Sequence, residues 1–275
     1  MLKKCFLITQ FGSPFEWTQQ YIDNVQPLQK YGWYWKIFTP NKLESKGNVE
    51  IVNMSVEEFD ELTEKKLGFR PTLFATPSGI PSSHITDFYI FAGVIFEDYI
   101  RDMDFWGITN FDVVYGRLDH FFPDNFLESC DLFTDDVNTI NGVFSLWRNN
   151  ETVNNLFRYI PGWANMIMQP PCQGCITGKK ELHRLYGSDE YAMTDTMKIP
   201  EILEKVRYKY PKYYPMHSHD RLEQHCPKPK LDIKEDFSLW ELFKDIDGPK
   251  WEHSRPMVGR EIPYFHFCDT KKWPL

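Results

Sequence analysis

Between Asp104 and Phe122 the chain reads DFWGITNFDVVYGRLDHFF, and this stretch limits the possible folds more than any other. An apolar-aromatic run, Phe105, Trp106 and Ile108, gives way to a short polar crossing, Asn110-Phe111-Asp112. It then resumes as Val113, Val114 and Tyr115 before Gly116. A strand apolar on both faces belongs inside a parallel sheet covered by helices, and the ligands of such sheets sit beyond the carboxyl ends of the strands. The pattern therefore predicts a buried strand that delivers Asp112 where a hard cation or a phosphate-bearing ligand is handled.

The rest of the chain alternates strand and helix signals around that centre. Residues 3–9 read as a first strand, followed by a turn with Gly12 and Pro14 and a helix over about 17–30. A strand, a glycine-containing loop and a helix can present backbone N–H groups to a ligand, and the same pattern also serves as a plain connection. Residues 34–39 and 49–54 read as further strands. Ser55 and Glu58 form a capping box for a helix that stops at Gly68. Apolar residues at helical spacing predict another helix over 85–100, with Asp87 in its first turn. A short helix over 123–130, a strand over 142–147 and a helix over 151–159 come next. After a loop-rich segment, Ser188-Asp189-Glu190-Tyr191 opens a helix with its acids at the start. Residues 200–256 hold many prolines and no long amphipathic run, and read as an irregular excursion that wraps the main sheet. Residues 262–267 read as a closing strand.

Composition narrows the partners. The charge is 31 minus 39, or −8, with no basic run longer than Lys-Lys, which argues against nucleic acid, because backbone binding needs clustered positive surface. The apolar run over 88–100 is broken by Glu97 and Asp98, so no transmembrane segment is expected. The first residues are too short in apolar length for a signal peptide. Six scattered cysteines suit reduced thiols, and together these features point to a cytoplasmic protein. Aromatic residues make up 16% of the chain, a surplus that suits a carbohydrate or nucleoside binder and equally a dense core.

The Asp104–Phe122 stretch resembles the metal-site region of GT-A-fold, nucleotide-sugar-dependent glycosyltransferases, in which a strand ends in a D-x-D motif. More narrowly, that stretch, GVFSLWRNNETVNNLF, SDEY and YFHFCDTKKW are similar to an uncharacterised glycosyltransferase-like family of bacterial polysaccharide gene clusters. The final segment also resembles the H-x-x-G-x-x-K-P-W ending of glycogenin-like transferases. The resemblance implies an α/β fold, a single GT-A-like (Rossmann-like) domain with a central, mostly parallel sheet flanked by helices. Residues 1–115 would form the nucleotide-binding half and residues 116–275 the acceptor half.

It further implies a metal-diphosphate site in which Asp112 matches the second acid of the motif and His266 the carboxy-terminal ligand. Oxygen ligands with one imidazole suit Mn²⁺, or Mg²⁺. Asn110 departs from the pattern by standing where the first acid is expected, and its amide oxygen would be an uncharged third metal ligand or hold a ribose hydroxyl. Lys271 and Lys272 would face the diphosphate, or are solvated terminal lysines. The segment ITDFYIFAG has Tyr89 where the family pattern carries a lysine. The nucleoside wall would be built from Thr9, Gln10, Phe11, Gly12 and Asp87, together with Asn110 and Phe111. Arg148 and Asn149 would contact the donor sugar, and Trp147 or Trp163 would offer a stacking face to it or to the acceptor, with Trp147 equally suited to the core. Asp189, with Glu190 beside it, matches the acceptor-side base of an inverting transfer, although acids at a helix start also serve simply as caps.

The reading is a metal-assisted glycosyltransferase that moves one sugar from a nucleotide-sugar donor, a UDP-sugar, to a hydroxyl of a glycan or polysaccharide acceptor. The alternative is a non-catalytic carbohydrate-binding or scaffold protein with a degenerate site. A sugar nucleotidyltransferase fits less well, because the early glycine- and lysine-rich loop for a triphosphate is missing. Cys172-x-x-Cys175 and the histidines that follow could hold a structural zinc, but the second half lacks regular ligand spacing.

Overall fold

Alternation along the first strand explains the layering of the molecule. In β1 (Lys4–Thr9), Cys5 and Leu7 join one buried cluster while Phe6 and Ile8 join another on the opposite face. A strand buried on both sides must lie inside a sheet covered on both faces. The computed structural model describes residues 1–70, 88–135, 140, 142–164, 193, 195–210, 218–219, 230–242 and 260–266.

Among these residues the central sheet has seven strands. β2 (Trp33–Thr39) and β3 (Val49–Asn53) lie on one side of β1, and β4 (Phe105–Thr109) lies on the other. Beyond β4 come β7 (Phe144–Arg148), then β6 (Leu132–Thr134), then β8 (Tyr208–Lys209) at the edge. β7 runs antiparallel to both of its neighbours, and all the other pairings are parallel. The expected α/β fold with a mostly parallel sheet flanked by helices is therefore what the chain adopts.

Two smaller sheets hang on this frame. β5 (Val113–Tyr115) pairs antiparallel with β13 (Tyr264–His266), which in turn runs parallel to β9 (Ser218–His219). The second is β10 (Lys230–Ile233), β11 (Leu239–Leu242) and β12 (Arg260–Ile262). Gly116 lets this sheet approach, since a Cβ there would stand 2.6 Å from Leu239 Cβ and 2.9 Å from the Ile262 carbonyl oxygen. Trp17, Val114, Leu239, Ile262 and Phe265 form the core between the two small sheets and the main body.

Several sequence expectations change. The helix expected over 17–30 is α1 (Thr18–Val25) followed by a 3₁₀ turn, Gln26–Tyr31, because Pro27 cannot donate into an α-helical ladder. The capping box of α2 (Val56–Leu67) forms as read, and Gly68 closes the helix at φ 87°. Of the helix expected over 85–100, the described residues show a 3₁₀ turn over 88–91 running into α3 (Ala92–Ile95), with turns from 96 to 99. Residues 90–96 are buried without interruption, so the segment lacks the solvent face that an amphipathic helix needs. A Cβ on Gly93 would meet the Trp106 ring at 2.7 Å, so the backbone itself packs on the sheet.

The helix expected over 151–159 divides into Glu151–Asn154 and a 3₁₀ turn, Leu156–Tyr159. The closing strand breaks at Pro263 into β12 and β13, which join different sheets. β6 was not anticipated, since three residues are too few for a periodic signal. The irregular excursion contributes β8 to the main sheet, β9 to the sheet of β5 and β13, and β10 and β11 to the sheet that β12 completes. Cys5 and Cys130 are buried free thiols, and burial pushes them to about 12 and about 11. Among the described residues no helix is long and apolar enough to cross a membrane.

Candidate functional site

The parallel pairing of β1 with β4, Leu7 beside Ile108, brings the carboxyl ends of the two strands out side by side. Thr9, Gln10, Phe11 and Gly12 leave β1 at this edge, and Asn110, Phe111 and Asp112 leave β4. The Gln10 backbone N–H donates to the Phe38 carbonyl at 2.9 Å and its side-chain Nε2 to the Ser13 carbonyl at 3.0 Å. Gln10 Oε1 is buried with no partner among the described residues. The Phe11 ring packs against Phe59 of α2, with centroids 5.4 Å apart. A Cβ on Gly12 would meet nothing within 4 Å, so this glycine is not demanded by crowding.

The polar crossing is held from both sides. The Trp17 indole donates to the Phe111 carbonyl at 3.0 Å, and the Phe111 ring lies against Tyr21 at 5.0 Å. On the apolar side, the Thr109 and Tyr115 hydroxyls hydrogen-bond each other across the crossing. Burial pushes the Tyr115 and Tyr21 phenols well above their usual range, so both stay neutral. With both flanks anchored, the side chains of Asn110 and Asp112 are pre-positioned.

β13 then supplies the distant partner. In its antiparallel register with β5, His266 lies opposite Val113, directly beside Asp112. His266 Nε2 stands 3.2 Å from Asp112 Oδ1, with the two side chains 14% and 13% exposed. Tyr264, on the same face of β13 as His266, stacks on Phe144 at 4.8 Å and donates its hydroxyl to Asp135. That packing sets the depth and register of β13.

The metal reading can be tested on this geometry. Two ligands bonded at about 2.1 Å at right angles to an octahedral cation lie about 3.0 Å apart, so Asp112 and His266 fit two adjacent ligand positions. Asn110 fits less well, because its Oδ1 already accepts a 2.9 Å hydrogen bond from the Tyr89 hydroxyl. Among the described residues no group of three or more His, Cys, Asp or Glu could hold a metal ion. A cation held by Asp112 and His266 would take its remaining ligands from the substrate.

Arg148 does not join this edge. β7 runs antiparallel to β4, so Arg148 pairs with Phe105 at the far end of the strand, about 13 Å of strand away from Thr109. There it donates from Nε to Asp131 at 2.7 Å and from Nη2 to the Leu127, Glu128 and Cys130 carbonyls. The β7 strand residue Trp147 is fully buried and stacked on Trp106 at 4.9 Å, a core role. Trp163 packs among Phe69, Phe91 and Phe157, with the Arg158 guanidinium over its ring. Asp87, Asp189, Glu190, Lys271, Lys272, Cys172 and Cys175 lie outside the described residues.

Sequence reasoning missed two groups. Tyr89 was seen as a replaced lysine and not as the partner of Asn110, and no local signal links positions 89 and 110. Asp60, beside Phe59 on α2, is 7% exposed and has an Oδ1 without a hydrogen-bond partner among the described residues. Burial pushes its carboxyl up to about 6, and Arg70 at 4.0 Å only partly opposes this.

Two solved structures resemble the chain. One is a glycosyltransferase involved in the glycosylation of the major capsid of PBCV-1, at 11% identity and a TM-score of 0.37, over 80% of this chain and 86% of that one. The other is the galactosyltransferase LgtC in complex with donor and acceptor sugar analogs, at 9% identity and a TM-score of 0.41, over 96% of this chain and 87% of that one. At these values the likeness carries no functional weight. No curated protein matches the chain. The model of a family of unknown function, DUF6625, matches residues 6–272, nearly the whole chain, and the protein belongs to that family.

Proposed function

We propose that the protein is a glycosyltransferase that moves one sugar from a nucleotide-sugar donor, a UDP-sugar, to a hydroxyl of a glycan. The observation that carries this reading is the 3.2 Å approach of His266 to Asp112, at the carboxyl edge of a mostly parallel sheet. Sequence similarity alone joined these two residues to one site, and their approach to 3.2 Å supports the reading. The carboxyl edge between β1 and β4 is where such sheets hold nucleotides.

In this reading Asp112 and His266 hold a divalent cation, Mn²⁺ or Mg²⁺, which when bound offsets the charge that builds on the departing diphosphate. The loop Thr9 to Gly12 walls the nucleoside, with Gln10 Oε1, which has no partner among the described residues, as a buried acceptor. Lys271 and Lys272 add positive charge toward the diphosphate. Asp189, with Glu190 as neighbour, takes the proton of the acceptor hydroxyl as its oxygen bonds to the anomeric carbon. The bond from that carbon to the diphosphate oxygen breaks in the same step, with inversion.

A screen of UDP-, GDP- and TDP-sugars with Mn²⁺ is expected to show slow hydrolysis of one donor. Asp189→Asn is expected to keep donor binding and lose transfer. If no nucleotide binds and Mn²⁺ leaves the melting temperature unchanged, the enzyme reading is wrong. The rival, a carbohydrate-binding or scaffold protein on the same fold, draws on the Tyr89 bond that occupies the Asn110 oxygen. It predicts glycan binding without donor turnover.

A further inference from the structure

Asn110 holds the first position of the polar crossing, and its carbonyl end is already engaged. The Tyr89 hydroxyl donates to Oδ1 at 2.9 Å. The amide nitrogen Nδ2 has no acceptor among the described residues, and the side chain is half-buried at the carboxyl edge. With Oδ1 engaged by the Tyr89 hydroxyl, the two N–H donors of Nδ2 are left for a ligand. Two residues on, the Asp112 carboxylate faces the His266 imidazole at 3.2 Å. The edge therefore presents an amide donor and one imidazole-facing carboxylate.

We propose that Asn110 donates from Nδ2 to the diphosphate of the nucleotide, so that the protein captures its nucleotide without a divalent cation. This rests on the nucleotide-sugar reading above. A carboxylate at position 110 would repel an anionic diphosphate unless a cation stood between them, whereas an amide N–H meets a phosphate oxygen in a charge-assisted hydrogen bond. Tyr89 is a positioning residue in this scheme, because it orients the amide and does not touch the diphosphate. Asp112 and His266 would then hold a cation for departure of the leaving group and not for capture of the donor.

Calorimetry with UDP, GDP and TDP, each in EDTA and in Mn²⁺, tests this. Wild-type protein is expected to bind one of them with affinities within about threefold in the two buffers. Asn110→Asp is expected to weaken that binding about tenfold in EDTA and to recover it in Mn²⁺. Asn110→Ala, which removes the donor without adding charge, is expected to lose about threefold to tenfold in both buffers, with no recovery in Mn²⁺. Uridine, which lacks phosphate, is expected to bind wild type and Asn110→Ala alike. Melting temperatures confirm that each variant is folded. Wild-type binding that vanishes in EDTA, or Asn110→Asp binding as tightly as wild type in EDTA, overturns the proposal and leaves the nucleotide-sugar reading standing. Equal losses for uridine and the diphosphate overturn the assignment to phosphate. Absence of any nucleotide binding in either buffer overturns both readings together.

Discussion

The two ends of the central sheet handle polar groups in opposite ways. At the amino end of the parallel strands, charges close on each other. Lys4 is buried with its ammonium on the Leu2 and Tyr31 carbonyls and on Asp124. Asp131 accepts from Arg148 and from the Arg207 backbone and guanidinium, and these bonds hold its carboxyl down at about 2. At the carboxyl end, the Asn110 amide nitrogen and Gln10 Oε1 have no protein partner among the described residues. A folded chain leaves buried or half-buried polar groups unsatisfied at a cost, and such exceptions concentrate where a ligand completes them. The amino end is not free of such exceptions, since Trp33 Nε1 and Asn48 Oδ1 also lack a partner among the described residues; what separates the two ends is the closed ion pairs of the one and, on the proposed function, the ligand of the other.

The contrast is broken most sharply at Asp112. Asp112→Ala is expected to lower donor turnover about 100-fold or more while the melting temperature stays close to wild type. A steady-state assay beside a thermal melt checks both halves, and unchanged turnover would remove Asp112 from the site.

Asp131→Ala should do the reverse. Stranding the Arg148 guanidinium is expected to cost roughly 3 kcal/mol in urea unfolding at pH 7, with nucleotide affinity unchanged. The pH dependence has a definite sign. The folded carboxyl titrates at about 2 against an ordinary 3.8, so its stabilisation is complete above pH 4 and lost as the pH falls toward 2. Wild type should weaken across that window more than the variant does.

Asp60 sharpens the contrast from the ligand side, since α2 starts directly after β3 and its Phe59 touches Phe11. Its carboxyl titrates at about 6, above the ordinary 3.8, so the folded state binds this proton more tightly than the unfolded chain and stability falls as the pH rises from about 4 through 6. That interval corresponds to at most roughly 3 kcal/mol. Asp60→Asn is expected to stabilise the protein at pH 8 by up to that amount and to be neutral at pH 4. Urea titrations at the two pH values decide it, and equal effects at both would mean the carboxyl is not strained by burial. The smallest effect is expected from Lys4→Met. Replacing a buried, paired ammonium by an apolar side chain of similar length should change the unfolding free energy by no more than about 1 kcal/mol.

Legibility in the sequence followed the range of the interaction. The α2 capping box, the Gly68 stop and β1 to β4 were readable because each rests on neighbours a few residues apart. The helix expected over 85–100 was misread because helical spacing reports an apolar face only where the other face meets water, and residues 90–96 are enclosed on all sides. Arg148 was misplaced for a different reason. Its strand was recognised, but a strand signal carries no direction, and the antiparallel course of β7 sends Arg148 to the amino end of the sheet.

The sequence by itself determined that Asp112 follows a strand buried on both faces, because period and apolarity are local properties of the chain. It also carried the resemblance that paired Asp112 with His266. Only the tertiary structure decided the distance between them, through the register of β5 with β13 and the Tyr264 packing that holds it. The Tyr89 hydroxyl on Asn110 belongs to the same class, since a hydrogen bond between a 3₁₀ turn and the end of a strand depends on how the tertiary fold places them and leaves no trace in the spacing of either.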